Sequence, residues 1–169
     1  MPDATGLELI AQELRDADAA SVLDTVFQRG RAVLIVDAGR VHGVLATLQE
    51  KGYGFLASLH GVDYYPDEPR LGVLYELLDM DTVDRITVKA RVHTDSPRIA
   101  SVCDLWPGAN HPEREVYDMF GVIFEGHADL RRILMPEDFE GFPQRRDYPI
   151  GGEPVLFTFN EETNYGKWQ

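Results

Sequence analysis

The chain has 169 residues, a net charge of −13 and a pI near 4.7, which is enough length for one ordinary domain. So acidic a surface repels phosphate backbones and anionic lipid, and this argues against a nucleic-acid or lipid-surface binder. The single cysteine, Cys103, excludes an internal disulfide framework and cannot supply the four thiolates an iron–sulfur cluster normally takes.

Thr5-Gly6-Leu7-Glu8 reads as a capping box with Thr5 as the cap. Leu7, Ile10 and Leu14 follow at helical spacing and predict a first helix from Gly6 to Asp16. Val22 to Gln28 and Ala32 to Val36 flank Arg29-Gly30-Arg31 and predict a hairpin. Val41, Val44, Leu45 and Leu48 share one helical face, so a second helix is expected from Arg40 to Lys51, stopped by Gly52.

Three strands are expected next. Phe55, Ala57 and Leu59 alternate, as do Leu71, Val73, Tyr75 and Leu77. Pro66-Asp67-Glu68-Pro69 turns the chain between them. Ile86, Val88, Ala90 and Val92 then alternate against Arg85, Thr87, Lys89 and Arg91, which predicts one polar face turned to solvent or a partner. Helix, two strands, helix and three strands make an α+β two-layer sandwich, with helices on a mixed, mostly antiparallel sheet. No apolar run approaches the ~20 residues of a membrane helix. The acidic start lacks the basic region of a signal peptide, so a cytoplasmic location is expected.

After Pro97 sheet-type alternation stops and Trp, Pro, Gly and Arg become dense. Residues 1–96 are expected to form the sheet region. Residues 97–169 are expected to form a short helix and an extended partner-binding segment of the same domain. The helix is predicted over Asn110 to Phe120, with Asn110 capping, Pro112 in the first turn, Glu113 at N3 and Gly121 ending it.

Candidate chemistry is sparse. Glu113 and Glu115 stand two apart on that helix and point to different faces, so they do not form a paired acid and base on one substrate. Arg114 is spaced to pair with Asp118, and Glu115 to share a face with Asp118, which suits a solvated or interface helix. His111, Glu113 and His127 could meet at a metal, but no HExxH spacing supports it. His127 in EGHADLRR reads as a turn-ordering histidine. Cys103 in SVCDLW reads as a small buried hydrophobe. Gly52-Tyr53-Gly54 is a helix stop and not a dinucleotide fingerprint. Trp106, Tyr117, Phe120, Phe124 and Phe139 read as core or interface. Arg131-Arg132 and Arg145-Arg146 lie beside Asp129, Glu137 and Asp147, and their guanidinium groups suit bidentate carboxylate pairing.

The run EREVYDMFGVIFEGHADLRRIL resembles the signature of the C-type, or 30-kDa-type, peripheral-arm subunit of respiratory complex I, an NADH:quinone oxidoreductase. Glu113, Arg114, Glu115, Asp118, Met119, Phe120, His127, Arg131, Ile133 and Leu134 occupy its positions. Asp104-Leu105-Trp106 and FLASLHGVDYY…LGVLYELL are also similar to that family. Gly141, Pro143, Arg145, Arg146, Asp147, Tyr148 and Pro149 match its downstream pattern, with Arg146 for a common lysine and Gln144 for a common leucine. The similarity runs from Val33 to Gly151.

The resemblance implies a scaffold without its own catalytic centre, flavin, cluster, metal or quinone. It would brace the quinone-site and cluster-bearing subunits on the cytoplasmic side of the membrane. FMN and iron–sulfur clusters would sit in partner subunits of an assembly that couples electron transfer to ion translocation. The subunit-interface residues would be Glu113, Arg114, Glu115, Asp118, His127, Arg131, Arg132, Arg145, Arg146 and Asp147. The equivalent subunit of a related membrane-bound hydrogenase, or of a ferredoxin- or quinone-linked complex, is one alternative. A free-standing acid–base enzyme using Glu115 or His127 is another.

Overall fold

A computed structural model describes residues 3–149. The last residues of the expected tail, from 150 to 169 and including the Gly151 end of the family pattern, lie outside them. In chain order the elements are α1 (Ala4–Ala17), β1 (Val22–Gln28), β2 (Arg31–Val36), α2 (Val41–Glu50), β3 (Phe55–Asp63), β4 (Leu71–Leu78), β5 (Arg85–Val92), β6 (Arg98–Ala100), a single 3-10 turn (Pro107–Ala109), α3 (Asn110–Phe120) and β7 (Ile123–Glu125).

Five strands form one sheet in the order β1-β2-β5-β4-β3. Only β2 and β5 run parallel, through the α2–β3–β4 connection; the other neighbours are antiparallel. The sheet is therefore mixed and mostly antiparallel, as the sequence predicts. Alternate residues of β2, β4 and β5, such as Leu34, Tyr75 and Val88, are buried together with Leu7, Ala11 and Leu14 of α1 and Val41, Leu45 and Leu48 of α2. That core continues into Val116, Met119, Phe120 and Phe124 of the later segment.

Four local expectations need correction. The cap of α1 is Asp3, whose Oδ1 accepts the Gly6 amide at 2.7 Å. Thr5 is already inside the helix, and Glu8 accepts a hydrogen bond from Thr25 of β1 instead of closing a capping box. Asn110 does not cap α3; the preceding 3-10 turn feeds the helix through Ala109, without a side-chain cap.

The polar face of β5 is not a solvent face throughout. Thr87 is only 6% exposed and donates to Glu76 at 2.9 Å. The Tyr64 ring covers the face further along, with Lys89 Nζ 4.0 Å and the Arg91 guanidinium 4.6 Å from its centroid. Tyr64 comes from a connecting segment, so periodicity within β5 gives no sign of it. Last, β6 and β7 pair in parallel as a second, two-stranded sheet. Strands of three residues are too short to show alternation.

Candidate functional site

The residues singled out by sequence converge on α3 and the chain that folds back over it. The helix is amphipathic and ends at Gly121, which adopts φ +77° and returns its amide to the Tyr117 carbonyl at 2.8 Å. A Cβ on Gly121 would come within 2.5 Å of the Phe142 ring, so the glycine meets both a left-handed turn and a close approach. On the other side, Phe120 of α3 lies where a Cβ on Gly61 of β3 would be 2.5 Å away. These two contacts seat α3 between the sheet and the tail.

Glu113 has no exposed surface. One carboxylate oxygen accepts the Val102 amide at 2.7 Å; the other accepts Ser101 Oγ at 2.7 Å and lies 3.6 Å from Cys103 Sγ. Burial pushes its pKa above the usual glutamate range, against the hydrogen bonds that favour the charged form. Cys103, half-buried, is raised as well, first by burial. The nearest possible ligand atoms of Cys103, Glu113 and His127 lie within 4.8 Å of one another, so Cys103 takes the place expected for His111, which is exposed.

The donors of this group are already engaged. His127 Nδ1 accepts the Asp129 amide at 3.0 Å, and Nε2 faces the Asn110 carbonyl at 3.2 Å, which assigns the ring proton to Nε2. Neither ring nitrogen offers a metal a free lone pair, and the histidine orders the turn after β7 as the sequence suggests.

Asp118 is likewise fully buried. Its Oδ2 accepts the amides of Ile133, Leu134 and Met135 at 3.0, 2.7 and 2.8 Å. Its Oδ1 accepts Arg132 Nη1 at 2.7 Å. Burial alone would raise its pKa; the three amides and the guanidinium together outweigh that and hold it below the usual aspartate range. Arg132 also donates to the Gly141 carbonyl at 2.9 Å and lies 5.6 and 5.5 Å from the ring centroids of Phe139 and Phe142.

The expected pairing of Arg114 with Asp118 does not form. Arg114 donates instead to the carbonyls of Arg131 and Arg132 at 3.2 and 3.1 Å. Glu115, three residues before Asp118, stays exposed while the returning chain covers Asp118. Asp118 is turned towards the returning chain, which supplies more donors than the helix neighbour could. Glu113 and Asp118, without accessible surface, cannot touch a partner docking on this conformation, so the expected interface role does not extend to them.

A third buried carboxylate fixes the end of the described chain. Arg70, just before β4, forks onto Asp63 at 2.7 and 2.6 Å and reaches Asp147 at 2.9 Å. The Arg146 amide also binds Asp63 at 2.7 Å. The Arg70 guanidinium draws the Asp63 carboxyl down to about 2 and lowers Asp147 too. Arg131 pairs with Asp129 at 2.9 Å on the surface, and Arg145 lies 5.5 Å from the Phe142 centroid. Sequence reasoning missed Ser101, Asp63 and Arg70, which carry no spacing signal because their contacts cross turns between elements or reach Arg146 and Asp147 far along the chain. Trp106, Phe120 and Phe124 belong to the core, while Tyr117 meets Phe142 edge-on and Phe139 stacks on Tyr148.

These features define a two-layer α+β domain whose C-terminal segment is strapped to it by buried carboxylates. The chain belongs to the family described as Respiratory-chain NADH dehydrogenase, 30 Kd subunit, which it matches over residues 34–154. It is 44% identical to the C subunit of NADH-quinone oxidoreductase from Roseiflexus sp. (strain RS-1), across 98% of this chain and 94% of that protein. The NADH-quinone oxidoreductase subunit 5 of Thermus thermophilus is 44% identical across 76% of this chain and 66% of that one.

Among solved structures, the trypsin-resistant fragment of Nqo5 superposes with a TM-score of 0.63 at 37% identity, covering 73% of this chain and 98% of the fragment. A chain of an archaeal membrane-bound sulfane sulfur reductase shares the fold, with a TM-score of 0.70 at 24% identity across 92% of this chain and 91% of that one.

Proposed function

We propose that this chain is a bracing subunit of the hydrophilic arm of an NADH:quinone oxidoreductase and performs no chemistry of its own. The observation that carries the reading is the near full-length likeness to a protein named as the C subunit of that enzyme. The site geometry supports it: Asp118 and Arg114 hold the segment after α3 to that helix, and Asp147 holds its later part to Arg70 beside the sheet. Among the described residues no helix is long and apolar enough to cross a membrane; in this reading attachment to the membrane runs through the assembly, on its cytoplasmic side.

The partners are the quinone-site subunit and the cluster-bearing subunits, which hold the FMN and iron–sulfur centres. The exposed members of the expected interface, Glu115, Arg131, Arg146 and Asp147, together with half-buried Arg145, would face them. The test is purification of the tagged chain from its native membranes. Co-purification with NADH:quinone activity, flavin and cluster absorbance is expected, while the isolated chain is colourless and redox-silent. Stoichiometric flavin or iron in the pure chain, or turnover by it, overturns the reading.

A further inference from the structure

The loop after Leu130 is held from beneath over residues 131–135. The carbonyls of Arg131 and Arg132 accept Arg114, and the amides of Ile133, Leu134 and Met135 converge on one oxygen of Asp118. With these amides and carbonyls turned inward, two large apolar side chains stand outward: Leu134 is 60% exposed and Ile133 37%. A single exposed leucine is ordinary. Two adjacent ones on a loop pinned by a buried, ionised carboxylate form a rigid apolar corner whose ordering cost is met before any partner arrives.

We propose that the Ile133–Leu134 corner is a preformed anchor that inserts into an apolar pocket with a basic rim on another subunit of the assembly. The inference rests on the function proposed above and adds the contact and the chemistry of its partner. The charge around the corner selects the occupant. Glu137, Asp138 and Glu140 follow it closely in the chain and are exposed, as is Glu115 beside the Arg114 that grips the loop backbone, whereas Arg132 is engaged by Asp118 and Arg131 is paired with Asp129. An acidic rim repels anionic lipid, and it repels a second copy of a chain with net charge −13. A protein surface offering lysine or arginine around an aliphatic cavity complements it.

The test replaces Leu134 with the photo-reactive residue p-benzoylphenylalanine in the full, tagged chain, produced in its native host and irradiated within the purified complex. The expected result is one adduct, to a different subunit, at a peptide carrying aliphatic side chains beside lysine or arginine. Leu134→Asp should lower recovery with the complex about thirty-fold, the equivalent of about 2 kcal/mol at 1.4 kcal/mol per tenfold. Leu134→Met should assemble normally, and the free Leu134→Asp chain should melt with the wild type.

An adduct to a second copy or to lipid overturns the proposal. So does full assembly of Leu134→Asp, or the absence of any adduct in a complex that retains the chain. Failure of the unsubstituted chain to co-purify with an NADH-oxidising complex is a different result: it removes the proposed function, and the anchor with it.

Discussion

Asp118 and Arg132 meet at 2.7 Å beneath the loop that follows β7, and every contact on the aspartate's side-chain oxygens comes from a donor of that loop: Arg132 on one oxygen, three amides on the other. An asparagine cannot substitute. Whichever way its amide is turned, the NH2 group confronts a donor, and the charge that balances Arg132 is gone. Asp118→Asn should therefore cost about 3–5 kcal/mol, the usual penalty for breaking a buried charge pair. Urea denaturation measures the loss, and hydrogen exchange should show the amides of residues 133–135 losing protection. A variant that unfolds with the wild type would mean that the loop is held by its side chains alone.

Glu113 predicts the opposite tolerance. Its partners are one amide, one hydroxyl and the weakly donating Cys103 thiol, and a hydroxyl can accept as readily as it donates. Glu113→Gln can keep the Val102 amide on its carbonyl oxygen and give its NH2 to Ser101, so a loss of no more than about 1 kcal/mol is expected. Glu113→Ala strands the Val102 amide, the Ser101 hydroxyl and the Cys103 thiol and should cost about 3 kcal/mol.

The pH dependence separates the two variants further. Because burial raises the Glu113 pKa, its contribution to stability is complete below the ordinary glutamate value and is lost as pH rises through the raised one. The Gln variant has no such loss. Its stability relative to wild type should improve as pH rises from about 4, as read from denaturation midpoints across that range.

The clamp of Arg70 on Asp63 and Asp147 has the reverse sign. Asp63, lowered to about 2, contributes stability above its unfolded value and loses it as pH falls through its folded one. Arg70→Met leaves Asp63 buried without its cation, at a cost of about 3–5 kcal/mol at pH 7. The stranded carboxyl then takes up a proton at higher pH than in the wild type. The gap between the two proteins should accordingly narrow as pH falls from about 4 towards 2. Denaturation at pH 7 and pH 3 tests this, and a gap that stays constant would show that packing of Arg70, not charge, matters.

The sheet was legible because its signals are local. Leu71, Val73, Tyr75 and Leu77 alternate, as do Ile86, Val88, Ala90 and Val92, and each set occupies one side of its strand. α3 was equally plain, from Asn110 to Gly121. What stayed hidden depends on partners distant in sequence: Arg70 with Asp147, Asp118 with Arg132 and the amides after it, Tyr64 over Lys89 and Arg91. The charged pairs of the tail were visible as residues, but spacing along one helix suggested Arg114 for Asp118. Only the returning loop shows why a fully buried carboxylate takes the richer donor set.

Two glycines are expected to resist substitution for separate reasons. Gly61→Ala drives a methyl into the Phe120 ring, at 2.5 Å before relaxation, and overpacking of this kind costs about 1–3 kcal/mol. Gly121→Ala meets the Phe142 ring as closely and also demands φ +77° of an alanine, which adds about 1–2 kcal/mol. Thermal melts should rank Gly121→Ala below Gly61→Ala. The opposite order would mean that the Phe142 ring and the end of α3 yield more easily than the packing of α3 on β3.

Arg114 and Glu115 are neighbours on α3 with different tasks, and a pair of alanine variants separates them. Arg114 donates two hydrogen bonds to carbonyls of the Arg131–Arg132 segment, and bonds of this charged kind are worth about 1.5–3 kcal/mol each. Arg114→Ala should destabilise the isolated chain measurably and loosen the loop above it. Glu115 is exposed, so Glu115→Ala should leave the isolated chain within about 0.5 kcal/mol of wild type. If Glu115 meets a cation on the neighbouring subunit, its removal weakens assembly by about 2–5 kcal/mol, roughly thirty-fold or more at 1.4 kcal/mol per tenfold. Co-purification yield and NADH:quinone activity should then fall together. Full assembly of an inactive Glu115→Ala complex would place Glu115 in the reaction or its coupling. Full assembly with full activity would leave it a solvated surface charge.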